Sequence, residues 1–228
     1  VNSINWARLL PQIIYYFWAA LALGVPNRKV SFSVPSGNFG NVFSAYAAKA
    51  LGLPIENLVV ATNTNDILSR FFNSGKMEIK QVRPSLSPSM DIQVSSNFER
   101  LLFDLCERDG SLTNEIIENF RTNGYFDIEM ESIATRANIF SALSVDDETT
   151  LARIKKTHKD TGEIIDPHSA VGLEAAHQIR SSGLVSPEIP IISLACAHPA
   201  KFPDAVYRAT GFYPDLPTQL DDFLEKKE

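Results

Sequence analysis

Residues 29–62 constrain the fold of this chain more than any other part of the sequence. They begin with KVSFSVP, in which apolar side chains alternate with serines, and this alternation predicts a strand. A turn with two glycines follows (residues 36–41, called the SGNFGN turn below), and small and apolar residues then predict a helix over 42–51. Residues 58–62, LVVAT, predict a second strand. A strand, turn, helix and strand in this order form a βαβ unit, which indicates a parallel sheet.

The rest of the chain is predicted to surround this sheet with helices. The apolar segment 13–23 is too short to cross a bilayer and predicts a helix buried in the core. Residues 98–165 contain three rather polar helical patterns, so we expect a helical insertion that packs on the sheet, while residues 189–197 predict a central strand. The predicted fold is therefore α/β, with a mostly parallel sheet and helices on both faces. Residues 1–97 and 166–228 would form this large domain.

Composition excludes several classes of function. The chain has 21 Lys and Arg against 27 Asp and Glu, with no basic cluster, which argues against a nucleic-acid partner. The two cysteines, Cys106 and Cys196, lie far apart and belong to no CxxC pair. This pattern argues against a metal site or a disulfide scaffold and fits the reducing cytoplasm. We expect no membrane partner either.

The SGNFGN turn has the properties of a phosphate-binding loop. Gly37 and Gly40 allow a tight turn and the close approach of an anion, and the turn leads into a helix N-terminus with free N–H groups. Asn38 and Asn41 are able to cap the loop or to donate side-chain hydrogen bonds. The sequence contains neither GxxxxGK[ST] nor GxGxxG, so a triphosphate or dinucleotide site is excluded. A single terminal phosphate fits, and a glycine-rich turn without a ligand is the alternative.

The exact residues of the turn add a resemblance to a known family. SGNFGN closely resembles the cofactor-phosphate loop of the threonine synthase family, which belongs to the fold-type-II pyridoxal 5′-phosphate (PLP) enzymes. Five further segments are similar to family signatures and follow in the family's order: NSINW, ATNTND with Arg70 after it, SPSMDI, DPHSAVG and AHPAKF. Each motif alone is weak, but six in register cover nearly the whole chain.

The resemblance implies a reaction and a set of cofactor contacts. Members of the family convert O-phospho-L-homoserine and water into L-threonine and phosphate, with the PLP ring as electron sink. At Cys196, expected beside the pyridine nitrogen, the family usually has threonine, and a thiol is a weaker donor. A buried core cysteine is the alternative for this position. Five consecutive residues would bind the cofactor phosphate: Gly37, Asn38, Phe39, Gly40 and Asn41.

One family residue has no counterpart in this sequence. The Schiff-base lysine of the family lies in a Phe-Lys-Asp context upstream of the phosphate loop, and no Phe-Lys-Asp occurs here. Lys29, the only lysine before the turn, is expected to be solvated, and Lys201 is not the family's Schiff-base lysine. We therefore expect a C-terminal fragment without a catalytic residue of its own. A serine or threonine dehydratase and a non-catalytic phosphate-binding module are the rival interpretations.

Several weaker candidates remain open on the sequence alone. His168 either faces the cleft or caps a helix start, and His198 ends a predicted strand where a ligand or a structural role fits equally. Asp91 either orients a substrate group or caps a helix. A further three residues either contact a substrate phosphate or serve the structure: Asn63, Asn65 and Arg70.

Overall fold

The structure is a computed structural model that describes residues 5–217 and residue 220. Part of the NSINW motif and the end of the predicted 166–228 segment lie outside these residues. Six strands are present in the described part: β1 (Val30–Pro35), β2 (Ile55–Thr62), β3 (Lys76–Glu78), β4 (Tyr125–Asp127), β5 (Phe140–Ser144) and β6 (Ile191–Ser193). Nine α-helices accompany them in the described residues: α1 (Trp6–Ala22), α2 (Gly40–Ala50), α3 (Ile67–Ser74), α4 (Phe98–Leu105), α5 (Gly110–Asn123), α6 (Met130–Ala137), α7 (Asp147–Thr161), α8 (Pro167–Ser181) and α9 (Pro203–Thr210).

The main sheet has four strands, all parallel, in the order β5-β2-β1-β6. Alternate residues of the strands point to opposite faces, as the strand period requires. Phe32 and Val34 pack in the cluster that contains Tyr16 of α1, whereas Val59 packs with Val171 of α8. Helices therefore cover both faces, and the predicted fold class and βαβ unit are confirmed.

Helix α1 confirms the predicted apolar helix but not its full burial. The Asn5 side chain accepts a hydrogen bond from the Ala7 N–H (2.9 Å) and caps the first turn, and the helix continues through its proline. One face packs into the core, while Ile14 and Trp18 on the other face are 66% and 76% exposed in the described part of the chain. Among the described helices, none has both the length and the apolarity that a membrane crossing requires.

Two sequence-based expectations differ from the structure. The run 189–197 yields only the short β6, which is an edge strand rather than a central one within the described residues. The apolar run predicted a buried strand, but the side chains of β6 are only half-buried, as suits an edge strand. The span 98–165 is also not purely helical, because it contains β4 and contributes β5 to the main sheet. Its division from the rest of the chain as an insertion stays a prediction.

Helix α8 lies close against the end of β1 and fixes one wall of the site described below. Ser33 Oγ donates to the Gly172 carbonyl over 2.6 Å. A Cβ atom at Gly172 would lie only 2.6 Å from Pro35 Cγ, so only glycine allows this approach. The start of α8 is thereby held beside the SGNFGN turn, which follows β1 directly.

Candidate functional site

A cavity of about 270 Å³ opens at the carboxyl ends of β1 and β6, the edge where open parallel sheets bind ligands. The SGNFGN turn forms its floor, and Gln12 of α1, His168 of α8 and the segments 89–90 and 196–202 complete the wall. All six residues that the sequence assigned to the cofactor line this cavity: Gly37, Asn38, Phe39, Gly40, Asn41 and Cys196. Four residues that the sequence left undecided or missed also line it: Gln12, Ser89, His168 and Lys201.

In the SGNFGN turn the carbonyl groups of residues 37–41 are hydrogen-bonded, whereas the N–H groups of the same residues have no partner in the described part of the chain. Ser95 Oγ donates to the Gly37 carbonyl (2.8 Å), and both the N–H and the Nδ2 of Asn97 donate to the Asn38 carbonyl (3.1 Å). No backbone N–H of residues 37–41 donates to an acceptor within the described residues. Because α2 begins at Gly40, these N–H groups lie at a helix N-terminus, where the dipole favours an anion.

Phe39 anchors the turn in the core behind the cavity. Its backbone is left-handed (φ 64°), which is unfavourable for an aromatic residue, and its side chain is only 1% exposed. The ring lies 5.9 Å from that of Phe72 in a stacked arrangement and 5.5 Å from that of Phe98, edge to face. Phe39 therefore offers a ligand only its main chain, while its side chain holds the turn in shape.

Gly37 has a packing role that the sequence argument did not anticipate. A Cβ atom at this position would lie 3.1 Å from both Met90 Cα and Ile92 Cδ1. The missing side chain therefore lets residues 90–92 pack against the turn, in addition to leaving the main chain open on the cavity side.

A buried carboxylate organises the wall opposite the turn. Asp166 is fully buried, caps α8 by accepting from the His168 N–H, and also accepts from His168 Nδ1 (2.9 Å), Ser169 Oγ and the Ala197 N–H (3.2 Å). Burial alone would raise the pKa of the Asp166 carboxyl, but the hydrogen bonds from His168 and Ser169 outweigh it and hold this pKa below its ordinary value.

His168 connects the Asp166 carboxylate to Ser89 on the other side of the cavity. Its Nδ1 donates to Asp166, which leaves Nε2 to accept from the Ser89 N–H over 3.3 Å. Both ring nitrogens thus have protein partners, and the ring packs 4.8 Å from that of Phe202. His168 faces the cavity from the first turn of α8, whereas the residue that caps this helix is Asp166, so the cleft-facing alternative is the one that fits.

Cys196 lies on the cavity wall with its main chain fixed. Its N–H donates to Ser169 Oγ over 2.9 Å, which joins it to the Asp166 network. The side chain reaches the surface, and is therefore not the buried core cysteine of the alternative interpretation. The protein atoms packed around the thiol and the nearby Asp166 carboxylate nevertheless raise its pKa to about 12. At neutral pH the group is a neutral S–H.

The other candidates do not line the cavity. Asn63 and Asn65 are buried and donate through Nδ2 to Asp91 Oδ1 over 2.7 and 3.0 Å. Arg70 pairs with Asp66 over 2.9 Å, which fits the structural alternative. His198 accepts from the Ala200 N–H through Nδ1 and caps a short 3-10 turn.

The two lysines that the sequence weighed lie in different places. Lys29 is exposed and pairs with Glu56 over 2.7 Å, as expected for a solvated residue. Lys201 lines the cavity, and within the described residues no other Lys or Arg does so.

Comparisons with known proteins agree with this arrangement. A family model described as "Threonine synthase, C-terminal" matches residues 169–228. A threonine synthase from Pseudomonas aeruginosa is 48% identical over 100% of this chain and 48% of its own length. The crystal structure of PLP-bound threonine synthase from Brucella melitensis superposes with a TM-score of 0.95 at 48% identity, over 100% of this chain and 48% of that one.

One more distant structure shares the fold of this chain without indicating its family. A fungal L-serine ammonia-lyase from Rhizomucor miehei has a TM-score of 0.55 at 11% identity, over 96% of this chain and 56% of that one, which shows a shared fold alone. The chain spans about half the length of the curated threonine synthases that it matches. Sequence, fold and the six motifs together show that this chain belongs to the threonine synthase family.

Proposed function

We propose that the SGNFGN turn binds the phosphate of PLP, and that the chain acts within a threonine synthase that converts O-phospho-L-homoserine and water into L-threonine and phosphate. The observation that carries the proposal is the row of free N–H groups over residues 37–41 at the start of α2. It occurs in a chain 48% identical to a protein whose structure is described as PLP-bound.

The cavity suits a ligand that combines one phosphate with a flat ring. The turn itself contains no charged side chain, so it suits a single phosphate held by main-chain donors rather than a polyphosphate. On the opposite wall Cys196 presents a neutral thiol, and the ring of Phe202 borders the same space. A volume of about 270 Å³ is at the low end for cofactor pockets, as expected for a small cofactor.

Each of these residues has a defined task in the proposed function. When bound, PLP supplies an electron sink for proton removal from the substrate. The turn would hold the phosphate end, and the Cys196 S–H, whose described partner is the Leu194 carbonyl at 3.8 Å, would be available to donate weakly to the pyridine nitrogen without protonating it. The lone pairs of Asp166 are used by His168, Ser169 and Ala197, and no Asp or Glu of the described residues lines the cavity, so none of them would hold a proton on that nitrogen. Lys201 provides the positive charge on the wall for a second, substrate anion.

Equilibrium dialysis of PLP against the 228-residue chain tests the cofactor part of the proposal. We expect weak binding that inorganic phosphate competes away, and no covalent attachment after borohydride reduction, because the sequence lacks the Phe-Lys-Asp lysine. Gly37→Val should weaken PLP binding by at least about tenfold, since its side chain meets Met90 and Ile92 and displaces the turn. Binding that phosphate does not affect would show that the phosphate lies elsewhere.

A substrate assay tests the reaction. Phosphate release from O-phospho-L-homoserine by a full-length protein containing this chain would support the threonine synthase activity. Ammonia release from threonine instead would indicate a dehydratase. PLP binding without turnover of either substrate would indicate a non-catalytic phosphate-binding module.

The cytoplasm is the location we propose for this protein. Cys106 and Cys196 are both free thiols, as is usual in a reducing compartment. Localisation of the tagged full-length protein by cell fractionation would test this.

A further inference from the structure

Two neighbouring tyrosines of α1 contact the side chain of Asn41, the last residue of the SGNFGN turn. The hydroxyl groups of Tyr15 and Tyr16 each lie 2.6 Å from Asn41 Oδ1, and the Tyr16 hydroxyl also lies 3.1 Å from the Asn41 carbonyl. A separation of 2.6 Å is typical of O–H···O bonds and short for N–H···O bonds. The amide oxygen therefore faces the tyrosines, and both hydroxyls donate to it.

This arrangement directs the Nδ2 amino group of Asn41 away from α1. Asn41 lines the cavity, and its Nδ2 donates to no acceptor in the described part of the chain. Because an amide is planar, fixing the oxygen on one side directs the two N–H bonds to the other. A flipped amide would direct a carbonyl oxygen instead, which repels an anion.

The two tyrosines differ in burial, since Tyr15 is 39% exposed and Tyr16 is inaccessible to solvent, but both have aromatic contacts. Tyr16 is fully buried and packs edge to face on Phe32, with ring centroids 4.8 Å apart, and the Tyr15 ring lies 5.0 Å from that of Tyr16. Burial raises the pKa of Tyr15 to about 12 and that of Tyr16 well above its ordinary value. Both hydroxyls therefore stay protonated and able to donate at physiological pH.

We propose that Tyr15 and Tyr16 are positioning residues that orient the Asn41 amide so that its Nδ2 donates to the phosphate of the cofactor. The inference rests on the proposed PLP site and adds one side-chain donor to the main-chain N–H groups of the turn. It also assigns a binding role to α1, which precedes the turn by a whole strand. The Asn41 amide is a neutral donor, and the SGNFGN turn contains no cationic side chain.

Affinities for PLP and for pyridoxal, which lacks the phosphate, test the proposal in the 228-residue chain. Tyr15→Phe and Tyr16→Phe should each raise the dissociation constant of PLP about three- to tenfold, the usual range for one hydrogen bond, and leave that of pyridoxal unchanged. Tyr46→Phe is the matched control, since its hydroxyl bonds to Asp104 and Tyr46 does not line the cavity. It should change neither affinity.

A double-mutant cycle separates positioning from a loss of stability. In the Asn41→Ala background the tyrosine variants should have no further effect on PLP binding, because the amide that they orient is gone. Equal losses in both backgrounds, or equal losses for PLP and pyridoxal, would overturn the positioning role. If wild type does not bind PLP at all, the proposed cofactor site fails, whereas normal PLP binding by both tyrosine variants refutes only this inference.

Discussion

Two irregular segments border the same cavity and differ in how their polar groups are partnered. In the SGNFGN turn, the N–H groups of residues 37–41 have no acceptor within the described residues. In the 84–92 segment the polar groups around Asp91 are bonded to partners within the protein. Asp91 Oδ1 accepts from Asn63 Nδ2 (2.7 Å) and Ser85 Oγ (2.6 Å), and its Oδ2 accepts from the Ser85 N–H (2.9 Å).

In the proposed function, this difference separates the surface that binds the phosphate from the segment that supports it. Polar groups that are buried in a protein are almost always hydrogen-bonded within it, so a row of free donors at a cavity indicates a ligand. The network around Asp91 is hydrogen-bonded among the described residues Asn63, Asn65 and Ser85, and we expect it to keep the neighbouring Met90 and Ile92 against Gly37. Substitutions in the support should therefore reduce stability, and those in the donors should reduce ligand affinity.

The largest effect is expected for Phe39→Ala, which tests whether the core behind the turn holds it in place. Removing this buried ring should lower the free energy of unfolding by about 3–5 kcal/mol, as measured by urea denaturation. Phe103→Ala is the control, because Phe103 is 41% exposed on α4 and should cost far less. A loss at Phe39 no greater than at Phe103 would show that the turn does not depend on its aromatic anchor.

A smaller loss is expected when the saturated network is broken. Asp91→Ala leaves the side chains of Asn63 and Asn65 without their shared acceptor and should lower the free energy of unfolding by about 2–3 kcal/mol. Asp127→Ala, which removes an exposed carboxylate, is the control. If Asp91→Ala instead weakened PLP binding at unchanged stability, the segment would belong to the binding surface.

The smallest expected effect is a change in the acid dependence of stability, and it concerns Asp166, a second saturated carboxylate. Its pKa is lower in the folded chain than in the unfolded chain, so its contribution to stability is complete above the ordinary value of 3.8 and is lost as the pH falls through the folded value. Unfolding free energies should therefore be flat for this group between pH 7 and about pH 5. They should decline below about pH 4, and less steeply in Asp166→Asn. Equal acid slopes in the two proteins would contradict the assignment.

The βαβ unit and the SGNFGN turn were predictable because they depend on local signals: alternation, glycines and a helix start. The partners of these residues were not. The contact of Asn41 with Tyr16 spans 25 positions, and no periodicity links them. The side chains of Asn63 and Asn65 suggested a ligand site until Asp91 was seen to satisfy them. Strand β5 was missed because its sequence, FSALS, does not alternate between apolar and polar residues.

The left-handed backbone and the buried ring of Phe39 limit how the sequence of the SGNFGN turn is able to change in evolution. Loops usually diverge faster than cores because their side chains point into water. Here the middle residue of the loop belongs to the core, where its ring meets Phe72 and Phe98. A substitution of Phe39 would need compensating substitutions in α3 and α4. Selection on thermal stability alone would therefore preserve the geometry of the loop, even in a lineage that no longer used its ligand.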